Sequence, residues 1–395
     1  MYDQPASAAA CRACGTTGLT RVLTLGAVPA ADYFPLASDP VRADEASHPL
    51  AMDACLDCGL AQLAEDDTLA DEPRGVEPLA LVLQAAEAVE RVASAGWLLG
   101  SSVHEFGSPH GGSWIPLLTD HGFTTTTGRA DVVLDCFGIM HEPDQRDAFI
   151  RRAQLVEPDG VLLLQYHSIA TIVEQDQWNA LRHGHFAYYS LTALMRLLAD
   201  VGLQVVTAFE FDLYGGTVLL AAVPGDAKPD DSVQRILAME QALDITNPAV
   251  LGRLQEGADR HAGSLRRWLD AESDAGRTVL AYGAASRAVA LFSRAGIDSR
   301  TLTAVADASE AKQGRRMPGT DIPIVSPGDL LVADPDCVYL TLPDLLPELS
   351  AAMPELDGRW MVDVPETRLV PVGCTTPVNL ESPETSVGIS EGSNR

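Results

Sequence analysis

The chain has 395 residues, enough for two or three domains, and its apolar content is sufficient to bury real cores. Only 27 basic residues face 55 acidic ones, a net charge of −28, which argues against nucleic acid or an anionic membrane as partner. No apolar run reaches membrane-spanning length and MYDQPASAAA lacks a basic, apolar leader pattern, so the expectation is a cytoplasmic protein acting on a small molecule.

The first element is a pair of thiol hooks, Cys11-Arg-Ala-Cys14-Gly15 and Cys55-Leu-Asp-Cys58-Gly59. Four thiolates in two C-x-x-C turns can enclose one Zn²⁺ tetrahedrally with no open position, a structural site that folds a module and does no chemistry. The metal ligands are therefore expected at Cys11, Cys14, Cys55 and Cys58 within a zinc-binding module over residues 1–65. Cys136, Cys337 and Cys374 are single, which fits a reducing compartment better than a disulfide framework.

Residues 66–78 are acidic and broken by proline, and read as a linker. Helical spacing follows over 79–98. Strands are then predicted at 103–106, 130–136, 160–166, 203–209 and 217–223, with helices at 144–155 and 190–201, so 79–225 reads as one α/β domain with a mainly parallel sheet. The charged stretch 229–275 reads as a helical connector. A second, Rossmann-like α/β unit is expected over 276–375, with strands at 278–282, 302–306 and 337–341. The polar residues 380–395 read as a disordered tail.

Five segments can carry chemistry. In Val103-His-Glu105-Phe-Gly107-Ser108-Pro-His-Gly111-Gly112 a strand ends on an acid and a glycine turn follows, the way the S-adenosylmethionine (SAM) loop of methyltransferases begins; many α/β proteins share that turn. His141 follows the 130–136 strand at the sheet edge where such folds place ligands, although a capping or solvent histidine fits as well. In Arg182-His183-Gly184-His185, two histidines one residue apart on an extended segment would address one pocket, and histidine is the usual general base near neutrality; a pair of structural histidines is the bland alternative. Gly215-Gly216 reads first as a turn and second as an approach to a ligand. Tyr282-Gly283-Ala-Ala-Ser-Arg287, with Asp307 at the next strand tip, echoes a dinucleotide fold but has one glycine, so packing and an anion contact from Arg287 are expected rather than NAD binding.

Taken together, the hooks, His185-Phe-Ala-Tyr188-Tyr-Ser190-Leu-Thr192, Gly215-Gly216, Tyr282-Gly283-Ala284 and Lys312-Gln313-Gly314 resemble the nucleotide-sugar C-methyltransferases of antibiotic deoxysugar pathways. The resemblance implies a zinc module, a SAM domain and a C-terminal Rossmann-like domain. It implies a TDP-4-keto-6-deoxysugar substrate, a base that removes the proton beside the ketone, and an enolate that attacks the methyl of SAM. It would make His185 the base, with His141, His183 and Arg182 around it. Glu105, Gly107, Ser108 and Gly111 would hold SAM, and Tyr188, Gly215, Gly216, Tyr282 and Arg287 would hold the substrate. Two departures stand out. Arg182 and Gly184 replace a tyrosine and a glutamate of the family pattern. Gly111 to Ala130 spans only nineteen residues, so the strand whose terminal acid binds the ribose of SAM is missing. A SAM-independent epimerase or isomerase, in which the enolate is reprotonated, and a non-catalytic binding homologue are the alternatives this leaves.

Overall fold

The computed structural model describes residues 10–68, 77–107, 112–364 and 366–369. Ser108, Gly111, most of the linker segment and the predicted tail at 380–395 lie outside them.

Three sheets build the molecule. The first is an antiparallel meander of β1 (Leu19–Val28), β2 (His48–Cys55) and β3 (Ala61–Leu63). Its fourth strand is distant in sequence: β8 (Ala187–Tyr188) pairs with β3 through Ala61–Tyr188 and Gln62–Ala187. The zinc module is therefore completed by the segment that follows His185. Arg12 ties the same units together, donating to the carbonyls of Leu63 and Pro143 while lying 4.8 Å from the Phe186 ring.

Helix α1 (Leu79–Ser94) leads into the second sheet. It holds β4 (Ser102–Phe106), β5 (Thr124–Thr125), β6 (Ala130–Cys136), β7 (Val156–His167), β9 (Leu203–Phe211) and β10 (Thr217–Pro224), in the order β5-β4-β6-β7-β10-β9. Helices α2 (Ile115–Asp120), α3 (Gln145–Leu155), α4 (Ile169–Glu174) and α5 (Leu191–Ala199) lie between these strands. Strands β5, β4, β6 and β7 run parallel, and the buried Val161-Leu-Leu-Leu164 of β7 is the continuous apolar run a strand covered on both faces requires. The sheet is mainly parallel, as expected, with β10 antiparallel to both β7 and β9. The short connection between β9 and β10 permits a hairpin and no parallel crossover.

The 229–275 stretch is helical as expected, but in three pieces: α6 (Asp231–Leu243), α7 (Pro248–Leu251) and α8 (Arg253–Asp274). Asp230 and Asn247 cap the first two, their side chains accepting from backbone N–H groups of the first turn. The third sheet contains β11 (Val279–Tyr282), β12 (Val305–Ala306), β13 (Ile324–Val325), β14 (Cys337–Leu340), β15 (Trp360–Val364) and β16 (Glu366–Leu369), parallel except for β16. Helices α9 (Ser286–Ala295), α10 (Pro327–Ala333) and α11 (Leu346–Ala352) flank it. The strand expected at 302–306 is shortened because Leu302 still belongs to the turn closed on Asp298.

One buried apolar cluster runs from Cys11 through the central sheet to Met361, so the three units share a core. A smaller cluster around Leu280, Val338, Leu340 and Trp360 fills part of the third unit. Among the described residues no helix is long and apolar enough to cross a membrane.

Candidate active site

The thiol hooks close as the spacing predicts. Sγ of Cys11 lies 3.6 Å from that of Cys58, Cys14 and Cys55 are paired at 3.6 Å, and all four sulfurs fall within 4.8 Å of one another. A tetrahedral ion with Zn–S bonds of about 2.3 Å needs sulfurs roughly 3.8 Å apart, so the donor set fits Zn²⁺. One sulfur leans toward ionisation and its partners away from it: the hydrogen bond from Cys58 pulls the Cys11 thiol down to about 5, while that contact and burial push Cys58 up. Burial raises Cys14 to about 11. A divalent cation lets all four become thiolates.

The large cavity lies elsewhere, between the second and third sheets. Its volume is about 320 Å³, and its polar lining includes Arg182, His185, His167, Arg287, Lys312 and Tyr282. Tyr188, the tyrosine expected to meet substrate, also lines it, as do Phe137, Met140 and Tyr214.

His185 is placed by two strands. Its neighbour Phe186 donates its N–H to the carbonyl of Met140 at 2.7 Å, and β8 pins the next two residues to the zinc module. The His141 segment is fixed from below: Asp135, fully buried, accepts the N–H groups of Gly138 and Ile139 and is ion-paired to buried Arg152 at 2.5 Å. The imidazoles of His141 and His185 therefore meet edge to face, 4.3 Å between centroids. Arg182 Nε–H donates to His185 Nε2 at 2.7 Å, and Arg182 Nη1 donates to Ser286 Oγ at 2.7 Å across the cavity. In this arrangement His185 Nε2 is an acceptor.

His183 does not join it, contrary to the expectation from the two-residue spacing. The chain turns at His183–Gly184, Gly184 N–H is held by Asp66, and His183 points into the zinc module, where its Nε2 lies 3.2 Å from the Pro49 carbonyl and its ring 6.0 Å from that of His48. The alternation assumed for an extended strand fails because the segment is a turn.

Gly215 and Gly216 pack closely and are not among the residues lining the cavity. Gly216 has φ 152°, and a Cβ there would lie 2.7 Å from Thr171 Oγ1. Their turn holds the preceding Tyr214 at φ 57°, with its ring facing Phe137 and His167, each 6.2 Å away. Tyr214, His167 and Phe137 were not among the sequence candidates. The signal for Tyr214 was its position before a double glycine; His167 is the last residue of a buried strand, with no motif around it. Burial, aided by the nearby Arg287, brings His167 down to about 3, so its imidazole is neutral at physiological pH.

At the end of β4 the residues expected to hold SAM are engaged with one another. Glu105 accepts the Ser113 hydroxyl at 2.5 Å and the Trp114 N–H at 2.7 Å. Gly107 is exposed. The carboxylate of Glu77 lies against Gly112, where a Cβ would collide with it. The pocket there measures about 20 Å³ and is lined by Glu105, Trp114, Gln84 and Gln165. Gln165 Nε2 donates to Gln84 Oε1 at 2.9 Å, leaving Gln84 Nε2 and Gln165 Oε1 buried without partners. That is room and polarity for about one water. Strand β5 is two residues long and is followed by Thr126-Thr-Gly128, with no acid at its tip. Ser108 and Gly111, the rest of the loop expected to hold SAM, lie outside the described residues.

Comparisons with known proteins agree with the order of units. The family described as C-methyltransferase C-terminal domain matches residues 212–365, a putative zinc binding domain matches 11–68 and a methyltransferase domain matches 78–208. The chain is 28% identical over 240 residues to the C-methyltransferase NovU of Streptomyces niveus. Along one chain the three matches cover a zinc module, a methyltransferase domain and a C-methyltransferase C-terminal domain, in that order. The NovU match covers 60% of this chain and 57% of that protein, little more than half its length. Among solved structures, magnesium protoporphyrin IX methyltransferase of Synechocystis PCC 6803 is 13% identical, covering 36% of this chain and 83% of that one with a TM-score of 0.27. CcbJ methyltransferase of Streptomyces caelestis is 14% identical, covering 36% and 90%, also at 0.27.

Proposed function

We propose that this protein is a C-methyltransferase of natural-product biosynthesis, acting on a carbon beside a ketone in a nucleotide-linked sugar or a related anionic intermediate. The observation that carries the reading is the convergence of His185, two arginines and a neutral histidine on one 320 Å³ cavity. His185 Nε2 takes the proton from the carbon; the C–H electron pair becomes the enolate, and its oxygen is stabilised by hydrogen-bond donors of the cavity wall. Neutral His167 can donate a hydrogen bond to the same oxygen without adding charge. Tyr282, Tyr214 and Phe137 supply apolar walls that hold the ring of the substrate and exclude water. When bound, SAM would supply the methyl group for that carbon and leave as S-adenosylhomocysteine.

The same enolate has one other fate. If no methyl donor enters, the enolate is reprotonated, and the chain is an epimerase or isomerase on the methyltransferase scaffold. One experiment separates the two. Candidate TDP-4-keto-6-deoxysugars are incubated in deuterium oxide with and without SAM and followed by mass spectrometry and NMR. A methylated product supports the first reading, and solvent deuterium at the same carbon without methylation supports the second. Neither product from any ketosugar would overturn both.

A further inference from the structure

Two arginines sit side by side in this cavity without a carboxylate. Arg182 is bonded to His185 and Ser286; Arg287 Nη2 donates to Asn179 Oδ1 at 3.1 Å, and its Nε is buried with no partner. Among the described residues neither guanidinium has a carboxylate within ion-pair distance, in a chain with twice as many acids as bases. Three acids line the cavity: Asp307 accepts the N–H groups of Ala284 and Ser309, Glu348 accepts that of Leu79, and the Glu77 carboxylate lies against Gly112. Behind the wall, Asp344 accepts the N–H of Tyr214 and is near enough for its charge to act on Arg287, though beyond ion-pair distance. His167 Nε2 is a second buried atom without a partner in the same wall. The uncapped first turn of α9, at Ser286, opens beside them. Burying two like charges together is costly unless an anion joins them.

We propose that Arg182 is a substrate-operated latch on His185: a diphosphate group of the substrate bridges Arg182 and Arg287, draws Arg182 off His185 Nε2, and so frees the base only when substrate is present. The inference rests on the proposed role of His185. A lone pair that accepts from a guanidinium cannot at the same time take a proton from carbon. The position is one where the family resemblance implies a tyrosine, so the latch is a property of this chain. Arg182 is a positioning residue here, acting through His185.

The test uses full-length, zinc-loaded protein carrying ¹⁵N-histidine, with the His185 ring nitrogens assigned through His185→Gln. Inorganic pyrophosphate is the probe. The expected result is a displacement of the His185 Nε2 resonance on addition of pyrophosphate. In Arg182→Met the resonance should start displaced and respond no further. A His185 signal that stays in place at every pyrophosphate concentration, or that moves equally in Arg182→Met, overturns the latch. Kinetics supply a second readout wherever a ketosugar exchanges its proton. Arg182→Met should raise KM by about tenfold to a hundredfold, the loss of one charge-assisted contact, with kcat largely kept. A fall in kcat at unchanged KM would mark a merely structural residue and overturn the proposal. If no ketosugar exchanges in the wild type, the proposed function fails, while the pyrophosphate response still decides whether an anion moves Arg182.

Discussion

Two pockets among the described residues share Glu77, Leu81 and Phe137 as lining, yet one is large and the other small. The cavity between the second and third sheets is large, charged and left with unpartnered buried atoms from Arg287 and His167. The pocket at the end of β4 has water-sized room, and its acid, Glu105, caps the approach to α2. The difference follows from chain length: nineteen residues between Gly111 and Ala130 leave room for the two-residue β5 and no acid at its tip.

The largest break in this contrast removes the open side altogether. Because β8 pairs with β3, loss of the zinc cluster should unfold the module and misplace His185 together. Structural zinc contributes on the order of 10 kcal/mol, comparable to the stability of a whole domain. Cys11→Ser or Cys58→Ser is expected to yield insoluble or molten protein, read by circular dichroism, with metal analysis giving one zinc per wild-type chain. His185→Ala should leave the fold intact and reduce solvent exchange into a ketosugar by about 10²–10⁴-fold, the usual worth of a general base.

His167 sharpens the contrast through pH. Its ring stays neutral in the fold down to about 3, whereas the unfolded chain protonates it near the ordinary value of about 6.5. Between these values the unfolded state binds more protons, so stability is complete above the upper value and falls as pH drops. Urea titrations of wild type and His167→Asn at pH 7 and pH 5 should show the wild type losing about 2 kcal/mol more on acidification. Gly216→Ala is expected to cost about 1–3 kcal/mol by overlap with Thr171, visible in the same titrations. The smallest effect is at the smaller pocket. Glu105→Ala should lower stability by about 1 kcal/mol, through its lost contacts to Ser113 and Trp114, and leave solvent exchange unchanged.

Much of this was legible in the sequence, and what was not has a physical reason. The hooks specify their own geometry locally, and apolar runs such as Val161–Leu164 specify strands without reference to anything distant. Arg182, His185, Tyr188, Tyr282 and Arg287 were named from motifs and meet in the cavity. The pairing of β8 with β3 joins residues more than a hundred apart in the chain, and no local pattern encodes it. His183 was misassigned because a turn at Gly184 breaks the two-residue alternation on which the inference depended. His167 carries no motif; its neutrality comes from burial beside Arg287, which lies in another unit.

The most direct test of the central claim is deuterium incorporation from solvent into a TDP-4-keto-6-deoxysugar, measured without SAM for wild type and His185→Ala. Exchange at the carbon beside the ketone in the wild type, lost in the variant, is the result expected of a base in the open cavity. Exchange that survives His185→Ala, or no exchange in either protein, would contradict it.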